Sequence, residues 1–399
     1  MQVRNVYMDH AAATPIDRKV VEVMLPFLNE SYGNPSSFHS VGKVASDAIL
    51  NARSSIAQIL GARADEVIFT SGGTESDNLA ILGYARKNKD FGKHIITTKA
   101  EHEAVLESCA ELEREGFEVT YLDVDEYGMV TADQVEGALR DDTILASVIY
   151  ANNEIGTVNP IREIGAKIQR ARKGSAKNFP VLHIDACQAA SALELNIQKL
   201  NVDMLTLNGS KIYGPKGAGL LYVRRGIKLQ PLQFGGAQEK RVRPGTENVA
   251  GIVGLASALQ IADDGRVQYV QKTTELRDKL INGILSSISK TRLNGHKTER
   301  LPNNVNISFM DIEGEALLLY LDSKGVYVST GSACTSQSLD PSHVILALGM
   351  PYEVAHGSIR FSLGRDTTEE DVDYVLETLP PLVEKLRKIS PVKVDEKYY

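Results

Sequence analysis

The chain is poor in cysteine, has no long apolar run and carries no surplus of positive charge. Its three cysteines, Cys109, Cys187 and Cys334, are odd in number and far apart among 399 residues. That spacing leaves room for one disulfide or a metal site but supplies a framework for neither. In a reducing compartment they are free thiols, and the question becomes which one reacts. No apolar stretch approaches the length of a membrane span, which argues against a membrane protein. A formal net charge of −7 argues against nucleic acid or an anionic membrane surface as the main partner. The opening residues, MQVRNVYMDH, lack the apolar core of a secretory signal, so a cytosolic, cytoplasmic location is expected. Internal repeats and low-complexity segments are also missing. What remains is ordinary for a globular protein, 43% hydrophobic and 24% charged. The length exceeds one small core, so two units are expected.

Apolar periodicity gives the organisation. Helical patterns over 17–29 and 43–60 are followed by a short strand at 67–70, a Gly-rich turn and a helix from about Glu75. Strands are predicted near 94–98, 117–122, 144–150 and 181–186, mostly separated by helical stretches. This rhythm means an α/β fold with a mainly parallel sheet covered on both faces. The pair of apolar runs within 204–223 predicts one antiparallel strand. Around 246–290 helix follows helix. An α+β pattern then appears: strand 304–309, helix 313–323, strand 326–329, a Ser/Gly-rich loop, helix 341–348, strand 358–362 and helix 368–388. The domain reading is an N-terminal segment 1–15 packing with the small unit, a large domain over 16–260 and a smaller one over 261–399.

One lysine stands where a charge is costly. The run MLTLNGSKIYGPKGAGLLYV, residues 204–223, places Lys211 at the mouth of a buried strand, before Gly214, Pro215 and Gly217 turn the chain back. A model lysine has a pKa of about 10.4, and burial lowers it. A lowered pKa supplies the free amine that captures an aldehyde. The plain alternative is a solvated turn lysine, so the rest of the chain has to support the chemistry.

Other strand ends offer compatible groups. Thr70-Ser71-Gly72-Gly73-Thr74-Glu75-Ser76 lies between a strand and a helix, where Gly73 and Thr74 could cradle a phosphate; the alternative is a simple N-cap turn. Asp185, in His183-Ile184-Asp185-Ala186-Cys187-Gln188, ends the strand before Lys211. It could pair with a protonated pyridine nitrogen, or merely cap a helix. Pyridoxal phosphate requires both a lysine and such a carboxylate. His102, in Glu101-His102-Glu103, could lie on the ring and move protons, and Asn153 could hydrogen-bond a ring oxygen. Cys334 sits in a small polar loop, Ser329 to Pro341, which suits an exposed nucleophile. Cys109 fits the buried-thiol alternative. Arg360 alternates with apolar residues on a strand. It could grip a substrate carboxylate with its guanidinium fork, or form an interdomain salt bridge.

Assembled, these residues resemble a cysteine desulfurase of the NifS/IscS-like branch of class V aminotransferase-fold enzymes. The resemblance runs from MDHAAATP at residue 8 to SIRFSLGR ending at 365. It is carried by GNPSS at 33, FTSGGTESDNLA at 69, EH at 101, NNEIG at 152, HIDACQ at 183, SKIYGPKG at 210, RPGTEN at 243 and STGSACTS at 329. It implies fold type I of the pyridoxal phosphate enzymes, with a large sheet of the seven-stranded type and a smaller α+β C-terminal domain.

The resemblance also implies roles. Lys211 would carry pyridoxal 5'-phosphate, Asp185 would pair with its ring nitrogen, and His102 would stack on the ring and relay protons. Asn153 and Gln188 would touch the ring oxygen. Gly73, Thr74, Asn208 and Ser210 lie where the family binds phosphate, and Thr246 would reach the phosphate of the neighbouring subunit in a homodimer. Arg360, helped by Asn34, would hold the carboxylate of L-cysteine. Cys334 would take the sulfur as a persulfide and leave L-alanine. The long cysteine loop resembles the branch that feeds an IscU-type iron–sulfur scaffold. No intrinsic metal is implied, though Cys334 as a transient cluster ligand in a scaffold complex stays open. One departure stands out: the family usually has Ser-Gly-His-Lys where this chain has Asn208-Gly209-Ser210-Lys211. A serine donates one hydrogen bond without charge, so weaker cofactor retention is predicted. The rivals are a selenocysteine lyase, another aminotransferase-fold enzyme, or a non-catalytic scaffold subunit.

Overall fold

The computed structural model describes residues 4–173, 179–330 and 341–399. A two-residue strand, β1 (Val6–Tyr7), opens the described chain. The main sheet follows from β2 (Val67–Thr70), β3 (His94–Thr98), β4 (Glu118–Leu122), β5 (Thr143–Ile149), β6 (Val181–Asp185), β7 (Met204–Asn208) and β8 (Gly219–Val223). Its order is β2-β8-β7-β6-β5-β3-β4. The pairs among β3 to β7 are parallel, and β8 runs antiparallel to both of its neighbours. The expected antiparallel strand is therefore β8, inserted between β2 and β7.

Burial on both faces explains the near-continuous apolar strands. Alternate residues go to opposite sides. Ile96, Ala146 and Leu205 pack in one core with Ile56 and Leu60 of the helix Ser40–Leu60. Ile95, Leu145 and Met204 pack in another with Val105 and Leu112 of the helix Glu103–Arg114. Helix Ser40–Leu60 stops at Gly61, whose φ of 64° is a left-handed conformation open to glycine.

The expected series of helices over 246–290 is a single helix, Val249–Ser287, capped by the Asn248 side chain on Gly251 N at 3.1 Å. Its first half, rich in Ala and Gly, packs in the sheet core through Leu255 and Leu259. Its second half joins a separate core through Leu276, Leu280 and Ile284. Residue 260 thus falls inside a continuous helix. The second core covers an antiparallel sheet of β9 (Thr291–Leu293), β10 (Asn304–Phe309) and β12 (Ser358–Ser362), ordered β12-β10-β9, and includes Val6 and Met8. Strand β11 (Val326–Tyr327) pairs in parallel with β1. The predicted helix 17–29 is two short helices, Arg18–Met24 and Pro26–Asn29, with Pro26 at the start of the second.

Candidate active site

Parallel strands point their carboxyl ends the same way, so the loops that follow them meet at one edge of the sheet. Those loops line a cavity of about 350 Å³. Gly73 and Thr74 come from the turn after β2, His102 from the turn after β3, Asn153 from the loop after β5, Asp185 and Gln188 from the end of β6, and Asn208 and Lys211 from the end of β7. Arg360 enters from β12 of the other sheet.

The half-buried Lys211 donates from Nζ to the carbonyl of Ala12 at 2.6 Å. Asp185 is only 6% exposed, and its Oδ1 accepts the Cys187 N–H at 2.9 Å. His102 caps the helix Glu103–Arg114, its Nδ1 accepting the Ala104 N–H at 3.1 Å. That bond leaves the neutral ring with its proton on Nε2. Gln188 donates to the Ala11 carbonyl at 3.0 Å. Arg360, 2% exposed, donates from Nη1 to the Asn153 carbonyl and from Nη2 to Asp9 Oδ1, both at 3.0 Å, while its buried Nε has no partner among the described residues.

The turn after β2 leaves little room at Gly73, where any side chain would need the Cys187 sulfur to shift. A Cβ there would lie 3.0 Å from the Cys187 sulfur. Gly73 also opens the helix Gly73–Asn78, and the first N–H groups of a helix have no intrahelical acceptor. A lysine amine, a buried carboxylate, an imidazole and this glycine-lined helix start are the donor set that pyridoxal phosphate needs, and the unpartnered Arg360 Nε adds a donor for a substrate anion. The residues therefore fit the cofactor.

Three of the expected residues do not line this cavity. Asn34 is exposed, and its side-chain oxygen accepts the Ser36 N–H at 2.9 Å. Thr246 is exposed in the single chain. Ser210 turns its hydroxyl to Asn208 Oδ1 at 3.1 Å, closing its own turn rather than facing the cavity. Cys334 lies outside the described residues.

The cavity also holds groups to which the sequence reading gave no role. Asp77 and Glu101 line it, 1% and 0% exposed. Burial pushes the Glu101 carboxyl up to about 8, against hydrogen bonds from Thr98 Oγ1 and Ile149 N that hold it down. Burial and the nearby Asp185 raise Asp77 well above the carboxylate range. His183, beneath Asp185 on β6, is fully buried and lowered by desolvation to about 4, so it is neutral between Ser147 and Thr206. Cys187 is likewise kept a thiol by burial. Glu154 and His343 line the cavity too. The Ser342 hydroxyl donates to Glu154, and His343 Nε2 lies 2.9 Å from the Glu101 carbonyl. Helical spacing was the available signal for Asp77, which follows Gly73 by four residues and so shares its face.

A mainly parallel sheet with a lysine and a carboxylate at adjacent strand ends defines a fold type I enzyme. The aminotransferase class-V profile matches residues 6–375, and the chain belongs to that family. More particular matches follow. The chain is 54% identical over 391 residues to "Cysteine desulfurase IscS" of Methanosarcina thermophila, covering 98% of this chain and 95% of the relative. Among solved structures, a "NifS-like protein" superposes with a TM-score of 0.89 at 36% identity, covering 96% of this chain and 100% of that one. "SspA in complex with cysteine" superposes with a TM-score of 0.79 at 36% identity, covering 90% and 99%. Within the family the protein is thus an enzyme of the cysteine desulfurase kind.

Proposed function

We propose that the cavity holds pyridoxal 5'-phosphate on Lys211 and that the enzyme moves sulfur from L-cysteine to Cys334, releasing L-alanine. The observation that carries this is the gathering of Lys211, Asp185, His102 and Arg360 around one cavity of about 350 Å³. Asp185 would pair with the ring nitrogen, Gln188 and Asn153 would hydrogen-bond the ring oxygen, and Gly73, Thr74 and Asn208 would hold the phosphate. The bound cofactor supplies an electron sink for the carbon beside the substrate amine.

The chain's own groups do the rest. Arg360 fixes the substrate carboxylate through its fork. Lys211 and the Nε2 of His102 carry protons between substrate carbons. The Cys334 thiolate attacks the substrate sulfur. A sulfur–sulfur bond forms as the carbon–sulfur bond breaks, and the freed electron pair takes a proton at carbon to give L-alanine. The persulfide left on Cys334 passes to an IscU-type scaffold protein for iron–sulfur cluster assembly. The likeness to the Methanosarcina cysteine desulfurase and to SspA, solved in complex with cysteine, supports this reading.

The same proposal includes a homodimer, in which Thr246 reaches the phosphate of the partner site. Its exposure in the single chain supports this, as do the bare side chains of Phe38, Tyr32, Leu28 and Phe234, 106%, 76%, 63% and 84% exposed. It also includes two folding units divided near residue 260, with the N-terminal segment on the second; the two separate cores support the division. A cytoplasmic location belongs to it as well. Among the described residues no helix is long and apolar enough to cross a membrane.

The test is Cys334→Ser in the loaded enzyme with L-cysteine and a reductant. Loss of sulfide and alanine release, with the cofactor's visible absorption intact, is expected. Retained sulfide release would overturn the assignment of Cys334.

A further inference from the structure

We infer that the three carboxyl groups buried at the inner wall of the cavity, Asp77, Glu101 and Asp185, carry one negative charge between them. Asp77 and Glu101 hold the two protons. Asp77 and Glu101 are then positioning residues: as neutral acids they leave a single anion, Asp185, to face a protonated ring nitrogen. That consequence rests on the assignment of Asp185 proposed above; the proton count does not.

The geometry carries the count. Ligand atoms of Asp77, Asp185 and His102 lie within 4.8 Å of one another. Among the described residues Asp77 Oδ1 and Glu101 Oε2 are buried with no hydrogen-bond partner, although a Thr206 hydrogen bond opposes the rise in the Asp77 pKa. A buried carboxylate oxygen without a donor is far costlier than a neutral acid in the same place, and neighbouring buried carboxylates cannot all ionise. Glu101 Oε1 also accepts two hydrogen bonds, from Thr98 Oγ1 and Ile149 N, so the contrast lies in the second oxygen, and neither oxygen of Asp185 is both buried and unpartnered. Asp185 receives the Cys187 N–H at 2.9 Å and opens onto the cavity that Lys211 shares. His102 and Lys211 line the same cavity and pull the pKa values of Glu101 and Cys187 down electrostatically, but burial is the larger effect on both groups. His183 Nε2 is 3.6 Å from Asp77 Oδ1, but this ring is neutral, with Thr206 Oγ1 nearer at 3.1 Å. Cys187 is a thiol. His102 offers a lone pair at Nδ1 to the Ala104 N–H, and Arg360 is held by Asp9. The raised acidities of Asp77 and Glu101 agree with the count.

Infrared spectroscopy of the wild-type protein, with and without cofactor, tests the count directly. A protonated-carboxyl C=O band should be present at neutral pH, lose intensity in Asp77→Asn and in Glu101→Gln, and persist in Asp185→Asn. Asparagine mimics a neutral acid, so Asp77→Asn should retain pyridoxal phosphate within about threefold of wild type, whereas Asp185→Asn should lose tenfold or more, about a full step on the affinity scale. An acid protonated only in the fold makes stability fall as pH rises, so the wild-type apoprotein should lose more thermal stability than Asp77→Asn between about pH 5 and pH 9. Absence of the band in wild type, or cofactor loss in Asp77→Asn as deep as in Asp185→Asn, would overturn the inference. If Asp77→Asn fails to fold, the wild-type band alone decides. Cofactor retained in Asp185→Asn with the band intact would instead refute the ring-nitrogen assignment and leave the count standing.

Discussion

Replacing Arg360 by lysine separates the fork from the charge. The side chain is 2% exposed, with Nη1 on the Asn153 carbonyl and Nη2 on Asp9, each at 3.0 Å. Its Nε and the outer N–H groups remain for a substrate carboxylate. Lysine keeps a positive charge but offers no planar pair of donors. A hydrogen bond to a charged group contributes about 1.5–3 kcal/mol, so losing one of a bidentate pair should lower kcat/KM by about 10- to 100-fold. The carboxylate takes no part in bond breaking, so its contact is equal in the ground state and the transition state. The loss should therefore fall on KM, with kcat little changed. Arg360→Ala is a poorer probe, because it would strand the Asn153 carbonyl and the Asp9 carboxylate and confound binding with folding. The assay is initial-rate alanine formation against L-cysteine concentration, with binding of an aminothiol that lacks the carboxylate as the control. Wild-type KM in Arg360→Lys, or an equal loss for the aminothiol, would refute the placement of the substrate carboxylate at Arg360.

Ser210→His should tighten cofactor retention by about tenfold, the value of one added charge-assisted bond to phosphate; equal affinity in a titration of the apoproteins would refute it. Ser342→Ala removes both the cap on Ile345 N, at 3.1 Å, and the donor to the buried Glu154, so a stability loss of about 1–3 kcal/mol is expected in denaturant unfolding. An unchanged midpoint would show that this clamp contributes nothing. His183, lowered to about 4, gives the chain an acid-sensitive term. The unfolded state binds its proton first as pH falls from about 6.5, so roughly 3 kcal/mol is lost by about pH 4. His183→Gln should flatten that limb of the stability curve, and parallel curves would exclude His183 as its source.

The fold was legible wherever apolar residues were periodic. β2, β3, β7, β8, β10 and β12 fall at or within a residue of their expected positions, since strands buried on both faces are read easily as unbroken apolar runs. The two-residue β1 and three-residue β9 carry no period to detect. The long helix Val249–Ser287 changes the face it buries on passing from one core to the other, which reads in sequence as a broken pattern. The cavity was legible from parallel-sheet geometry, which sends every strand's carboxyl end to one edge. Asp77 and Glu101 escaped because a carboxyl's role there follows from what surrounds it in space, and the sequence shows only an acidic residue on a helix and another in a turn. Ser210 is outside the cavity lining for a local reason: its hydroxyl donates to Asn208, two positions earlier.

The opening motif MDHAAATP was the part of the resemblance with no chemistry assigned to it, and the structure gives it a physical reason. Residues 8–14 lie between the two sheets and bind both. Ser362 N donates to the Met8 carbonyl at 2.7 Å, Ala11 N donates to the Ser362 hydroxyl at 2.9 Å, and Asp9 holds Arg360. On the other side Lys211 donates to the Ala12 carbonyl, Gln188 to the Ala11 carbonyl, and Thr14 N to the Ser210 carbonyl at 2.9 Å. Ala11 and Ala12 themselves line the cavity, and their small side chains take up little of it. The segment therefore fixes Arg360 relative to Lys211, two groups from different sheets that, under the proposed function, act on the carboxylate and the amine of one small substrate. A misplacement of about 1 Å between such groups can cost a hundredfold in rate, so on the proposed function the short alanine-rich strap matters to the reaction although it contributes no reacting atom.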